Sequence, residues 1–242
     1  MDRSLPKGFK SFRKAVDSWA WGRLQRDNPQ YVSKFTAALS ESGLERAIHD
    51  AKPFLGAKPD WYGPLTAVTD VEMAFDKVFR SLAFLSTKPQ PAGDELTDPG
   101  AWVVFHAEHW TLAMDASLER VENVIKSTIQ GAIKYKNSDW RTLQNSLLAR
   151  VKRMKDEIGK VRHPLAHGLG GGITGLEEER LWEPYLAAQF DEPVDFARAR
   201  HTSVAEQNYQ QTWHNRLVGV TKTILDELSS IFEELSEQPF PP

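Results

Sequence analysis

The residues best equipped for chemistry lie in one short string, Arg162-His163-Pro164-Leu165-Ala166-His167, which places a guanidinium and two imidazoles within six positions. Imidazole titrates near neutrality, so His167 is suited to take a proton from a hydroxyl or return one to a leaving oxygen. Arg162 is permanently charged, and its planar fork can hold phosphate oxygens and stabilise charge that accumulates on them. His163 is placed to orient a substrate or share the proton work. Spacing alone decides little, because 15 Arg and 7 His in 242 positions give about 0.4 pairs at this separation by chance. The same string also reads as a helix C-terminus, with cationic side chains near the last carbonyls and Gly168 as the stop.

Three other features compete for attention. His106, Glu108 and His109 form a second cluster, in which histidines at i and i+3 share a helix face and are able to ligate a metal. No third ligand is legible, so no metal site is assigned, and a place lining a cleft or pairing with another helix is the simpler role. Gly170-Gly171-Gly172-Ile173-Thr174-Gly175 lacks the Gly-Lys-Ser/Thr ending of a phosphate loop and follows no strand pattern, so no nucleotide cofactor is expected from it. The eight Trp sit mostly among apolar helical positions, where packing is the default; any that are exposed could stack on RNA bases.

The elements that must position these residues are helical. Phe9, Phe12, Val16, Trp19 and Leu24 predict a first helix stopped near Asp27-Asn28-Pro29, and Tyr31, Phe35 and Leu39, continuing to Leu44 and Ile48, predict a second. The Pro- and Gly-containing stretch from Lys52 to Pro64 reads as a loop. Leu65 to Leu85 carries Val68, Val71, Phe75, Val78, Leu82 and Leu85 on one stripe, and a further loop spans Thr87 to Gly100. The longest periodic segment, about Trp102 to Tyr135, includes Phe105, Leu112, Met114, Leu118, Val121, Val124, Ile125, Ile129 and Ile133. Asn137-Ser138-Asp139 reads as a break and cap. Beyond it Leu147, Val151, Met154, Ile158, Val161 and Leu165 step by four or three, a one-faced helix that Pro164 should kink or end. A glycine-rich loop, a short helix around Leu176 to Phe190 and a long helix from about Val204 to Leu235 complete the chain. In the last, Leu217, Val220, Ile224, Leu228, Ile231 and Leu235 form the buried stripe.

Almost nothing alternates with period two, so the expected fold is all-α, a helical bundle of about six to eight helices. The loop before Gly100 is the natural boundary between an N-terminal helical region, 1–98, and a C-terminal helical domain, 99–242. With 40% hydrophobic residues and 26% charged, the composition is that of a globular protein with a sizeable core. The absence of Cys excludes disulfides, thiolate metal sites and cysteine nucleophiles. No run of about 18 apolar residues is present to span a membrane, and a cytoplasmic location is expected. A net charge of -3 rules out a uniformly basic nucleic-acid coat, yet Arg150, Lys152, Arg153, Lys155, Lys160 and Arg162 crowd one segment. Of these, Arg150, Arg153 and Lys160 are candidates to track an RNA backbone.

The string from Arg162 to His167 resembles the signature of the HEPN superfamily: Arg, then four to six residues, then His, often with a polar residue directly after the Arg. Arg162 and His167 take the two motif positions, and His163 takes the polar one. A long helix before the motif helix, and more helix after it, are similar to that fold over about Pro99 to Leu235. The resemblance implies a HEPN-like core and, as in many members, a metal-independent endoribonuclease that needs no cofactor. It implies attack by the substrate's own 2′-hydroxyl, with a homodimer bringing two copies of the motif to one cleft. It also implies a role in phage defence or toxin–antitoxin biology, with an antitoxin or other regulatory protein as partner. A non-catalytic HEPN-like module that binds RNA, nucleotide or a protein is the alternative. One subgroup carries Tyr two residues after the His; that position is Leu169 here, so control through such a tyrosine is not expected.

Overall fold

The computed structural model describes residues 5–42, 46–47, 62–87, 99–133, 139–167 and 194–237, with side chains described up to Arg162 in the fifth helix and from Gln210 in the sixth. The fold is all-α, with helices α1 (Lys7–Asp27), α2 (Pro29–Ser42), α3 (Tyr62–Leu85), α4 (Pro99–Ile133), α5 (Asp139–His167) and α6 (Val194–Ser236), and no strand among the described residues. The expected short helix around Leu176 to Phe190 lies outside the described residues. No described helix is long and apolar enough to cross a membrane.

Proline and asparagine set several helix starts. Asn28 ends α1 and its carbonyl accepts from Val32 N–H at 3.2 Å, opening α2, whose first residue is Pro29. A proline suits that first position because its missing N–H has no partner there in any case. Pro99 likewise begins α4, and Pro64 sits in the first turn of α3, so these prolines belong to helices and not to the loops expected from them. Helix α6 begins at Val194, ten residues before the expected start, because Ala197-Arg198-Ala199-Arg200-His201 carries no apolar stripe to announce it.

The chain forms two compact units. One comprises residues 1–4, 73–119 and 150–226. Its buried side chains include Phe75, Val78 and Leu82 of α3, Trp110, Met114 and Leu118 of α4, Val151, Met154, Ile158 and Val161 of α5, and Trp213, Leu217 and Ile224 of α6. The Trp110 indole donates to the Thr221 hydroxyl at 3.1 Å, and Gln210 on α6 donates to the carbonyls of Leu85 and Thr87, at 2.7 and 2.8 Å, satisfying acceptors left open at the end of α3.

The other unit comprises residues 5–72, 120–149 and 227–242. Phe9 and Phe12 pack on Phe232 with ring centroids 4.8 and 5.4 Å apart. Gly8 lets α1 approach α6 closely: its N–H donates to Ser229 Oγ at 3.1 Å, and a Cβ at this position would collide with the Ser229 carbonyl oxygen. Ala20 and Leu24 form a small core with Trp19, Tyr31, Val32 and Leu65 at the turn from α1 to α2. Burial raises the Tyr31 pKa above 10.0.

Candidate functional site

Helix α5 carries the motif. Its stripe behaves as its spacing demands, with Leu147, Val151, Met154, Ile158 and Val161 all buried. Lys152, Arg153, Asp156, Glu157, Lys160 and Arg162 are exposed. Arg162 therefore follows the last described residue of the core-facing stripe and opens directly to water. Lys160 reaches Glu157 at 2.5 Å, both in solvent, a pair worth little to stability and easily exchanged for a phosphate. Arg150 is half-buried.

Pro164 neither ends the helix nor marks its last turn alone: α5 continues three residues further, to His167. Pro164 has no N–H to give the Lys160 carbonyl, so the backbone there loses one rung while the helical path persists. The backbone places His163, Pro164 and His167 in the final turns of α5; their side chains lie outside the described set. Cations at this end also offset the negative pole of the helix.

A continuous helix fixes angular relations among the candidate positions. Arg162 and His167 are five residues apart, which is about 140° around the axis and roughly 8–9 Å between Cα atoms. Arg153 lies about 180° from Arg162. By contrast Arg153, Lys160 and His167 fall at intervals of seven residues, within about 40° of one another and about 10 Å apart along the axis. Position 163 lies within about 60° of position 160. The helix thus aligns Arg153 and Lys160 as one exposed row whose register continues to position 167, with Arg162 on the opposite flank.

The second cluster is divided by the structure. His106 is 7% exposed, whereas His109 is exposed. Trp102 meets the His106 ring edge-on at 4.3 Å, Phe84 lies flat against it at 5.2 Å, and Phe105 meets it edge-on at 5.1 Å. Neither His106 nitrogen has a hydrogen-bond partner, nor does the buried Trp102 Nε1. Burial, and secondarily His109, lowers the His106 pKa. Among the described residues no group of three or more His, Asp or Glu is arranged to hold a metal. Sequence reasoning placed Phe105 and Leu112 on the periodic face of α4, but both are exposed, at 62% and 58%. Val103, Ala107 and Trp110 fill the core there instead, and their steps of four, three and four onto the expected Met114 are the signal that was available. Of the tryptophans whose side chains are described, Trp21 is the exposed one, at 42%.

No protein-family model, curated protein or solved structure matches the chain.

Proposed function

We propose that this chain is a metal-independent endoribonuclease of the HEPN type, cutting single-stranded or looped RNA. The observation that carries the reading is the end of α5, where Arg162 is exposed on the helix terminus that also bears His163 and His167, with Lys152, Arg153 and Lys160 exposed on other flanks of the same helix. In this reading the 2′-oxygen attacks the adjacent phosphorus and the bond to the 5′-oxygen breaks. One imidazole takes the 2′-hydroxyl proton, another protonates the departing 5′-oxygen, and Arg162 holds the phosphoryl oxygens. The products are a 2′,3′-cyclic phosphate and a 5′-hydroxyl. A homodimer supplies His167 from both protomers, so that acid and base need not come from one helix. A role as a toxin in phage defence, restrained by an antitoxin or other regulatory protein, follows from the same family resemblance.

Cleavage of single-stranded RNA by the parent, with cyclic-phosphate ends, undiminished by a chelator and lost in Arg162→Ala and His167→Ala, is the expected result. Free 3′-hydroxyl ends, or equal cutting by both variants, overturns it.

The 140° separation of Arg162 and His167 favours a second reading, a module that binds RNA without cutting it. RNA binding by the parent with no cleaved product under any of these conditions is its signature.

A further inference from the structure

Of the side chains described, only a few large apolar ones face water, and four of them, Met73, Phe84, Phe105 and Leu112, belong to α3 and α4. Two of these are rings that share one buried neighbour. Phe84, 49% exposed, lies parallel to His106 with an interplanar angle of 18°, and Phe105, 62% exposed, meets the same imidazole at its edge. Phe105 also stacks on His109 at 6.3 Å and 12°, and Trp102 meets His106 edge-on at 4.3 Å. Five aromatic rings are therefore contiguous, and their outer members stand in solvent.

The polar atoms of this cluster are unsatisfied. Trp102 Nε1 is a donor without an acceptor, and both nitrogens of His106, which is nine-tenths buried, lack partners. Buried imidazoles and indoles ordinarily find hydrogen bonds, and an orphaned group costs free energy in the folded state. An apolar helix laid over Phe84 and Phe105 would cover the rings and leave those atoms unpaired. A flat heteroaromatic ring meets both needs, because it offers a π face to the phenylalanines and in-plane donors and acceptors to the nitrogens.

We propose that the Phe84–Phe105–His106 surface binds an unpaired nucleobase, which stacks on the exposed phenyl rings and takes hydrogen bonds from Trp102 Nε1 and His106. Entry requires the half-exposed Phe84 ring to swing off the imidazole, a rotamer change open to a surface side chain on a fast timescale. Phosphate contacts are available from Lys77, seven residues before Phe84 on the same exposed face of α3, and Arg80, which is held by Asp76 at 2.6 Å, is a second candidate. The proposal uses none of the Arg162 motif residues and does not depend on RNA cleavage.

A single-stranded deoxyadenylate octamer tests it without any cleavage, because DNA has no 2′-hydroxyl to attack. Fluorescence anisotropy should show the intact chain binding the labelled octamer. An abasic octamer of equal charge, and a Phe84→Leu/Phe105→Leu variant, should each bind at least about tenfold more weakly. Equal affinity for the abasic strand, or an unaltered double variant, overturns the proposal. So does a double variant that changes mass in light scattering while binding the octamer normally, which would make the surface a protein contact. Independently of any variant's folding, titrating the parent with adenosine monophosphate should shift the Trp102 indole N–H resonance, assigned with Trp102→Phe; an unmoved resonance also overturns it.

Discussion

Trp110 on α4 donates its indole N–H to Thr221 Oγ1 on α6 at 3.1 Å, and Thr221 passes its own hydroxyl proton back to the Leu217 carbonyl at 2.7 Å. Both side chains are buried, so this short relay satisfies every polar hydrogen it places in the core. Thr221→Val keeps the shape and removes the acceptor, stranding the indole N–H. The expected loss is about 1–3 kcal/mol in urea unfolding, and Thr221→Ser should lose clearly less. Equal losses in the two variants would assign the effect to packing and not to the hydrogen bond.

Gly8 should be intolerant of the smallest substitution. Alanine gains up to about 1 kcal/mol of helix propensity over glycine, yet here its Cβ would press on the Ser229 backbone. Overpacking of that kind typically costs about 1–3 kcal/mol, so Gly8→Ala should be net destabilising in thermal or urea melts. A methyl added at Gly22 or Gly159 would meet open space, and Gly22→Ala or Gly159→Ala should leave stability unchanged or raise it.

His106 makes the fold sensitive to acid. Its pKa in the folded chain lies below the ordinary 6.5, chiefly through burial, so between the two values the unfolded chain binds more protons than the folded one. Its stabilising contribution is complete above about pH 6.5 and is lost progressively as pH falls below that value. Comparing melting temperatures at pH 7.5 and 5.5, His106→Phe should show a smaller drop than the parent. An identical drop in both would mean that other groups carry the acid sensitivity.

Arg162→Ala should separate chemistry from stability. The side chain is exposed, so unfolding should shift by no more than about 0.5–1 kcal/mol, the range of a surface site or a helix-end charge. RNA cleavage should fall about 100- to 1,000-fold, as for loss of one group that stabilises developing charge. A loss of stability with no change in cleavage would leave Arg162 as a helix-end cation alone.

Arg153 and Lys160 share a row along α5, and each should contribute to the salt dependence of single-strand binding. Replacing either with Ala should reduce the slope of log affinity against log salt by about 0.7. Measured slopes that do not change would remove both from the path of the strand.

Helix periodicity carried most of the architecture. The stripes of α1, α3, α5 and α6 predicted burial almost position by position, because one apolar face per helix leaves a single way to exclude water. Helix ends were less legible where prolines that suggested loops instead opened helices, as at Pro64 and Pro99, and where a polar stretch such as Ala197 to His201 continued a helix without an apolar mark. In α4 two apolar rows run side by side, and spacing alone does not say which turns inward.

Composition and period by themselves determined an all-α chain and the concentration of Arg162, His163 and His167 at one helix terminus, since both are properties of local order. Only the tertiary structure decided that Trp110 and not Phe105 enters the core, that His106 is enclosed by rings without a hydrogen-bond partner, and that Gly8 lies against Ser229. Those outcomes depend on which neighbour covers each face, and neighbours distant in sequence, such as Gly8 and Ser229, leave no periodic trace in either segment.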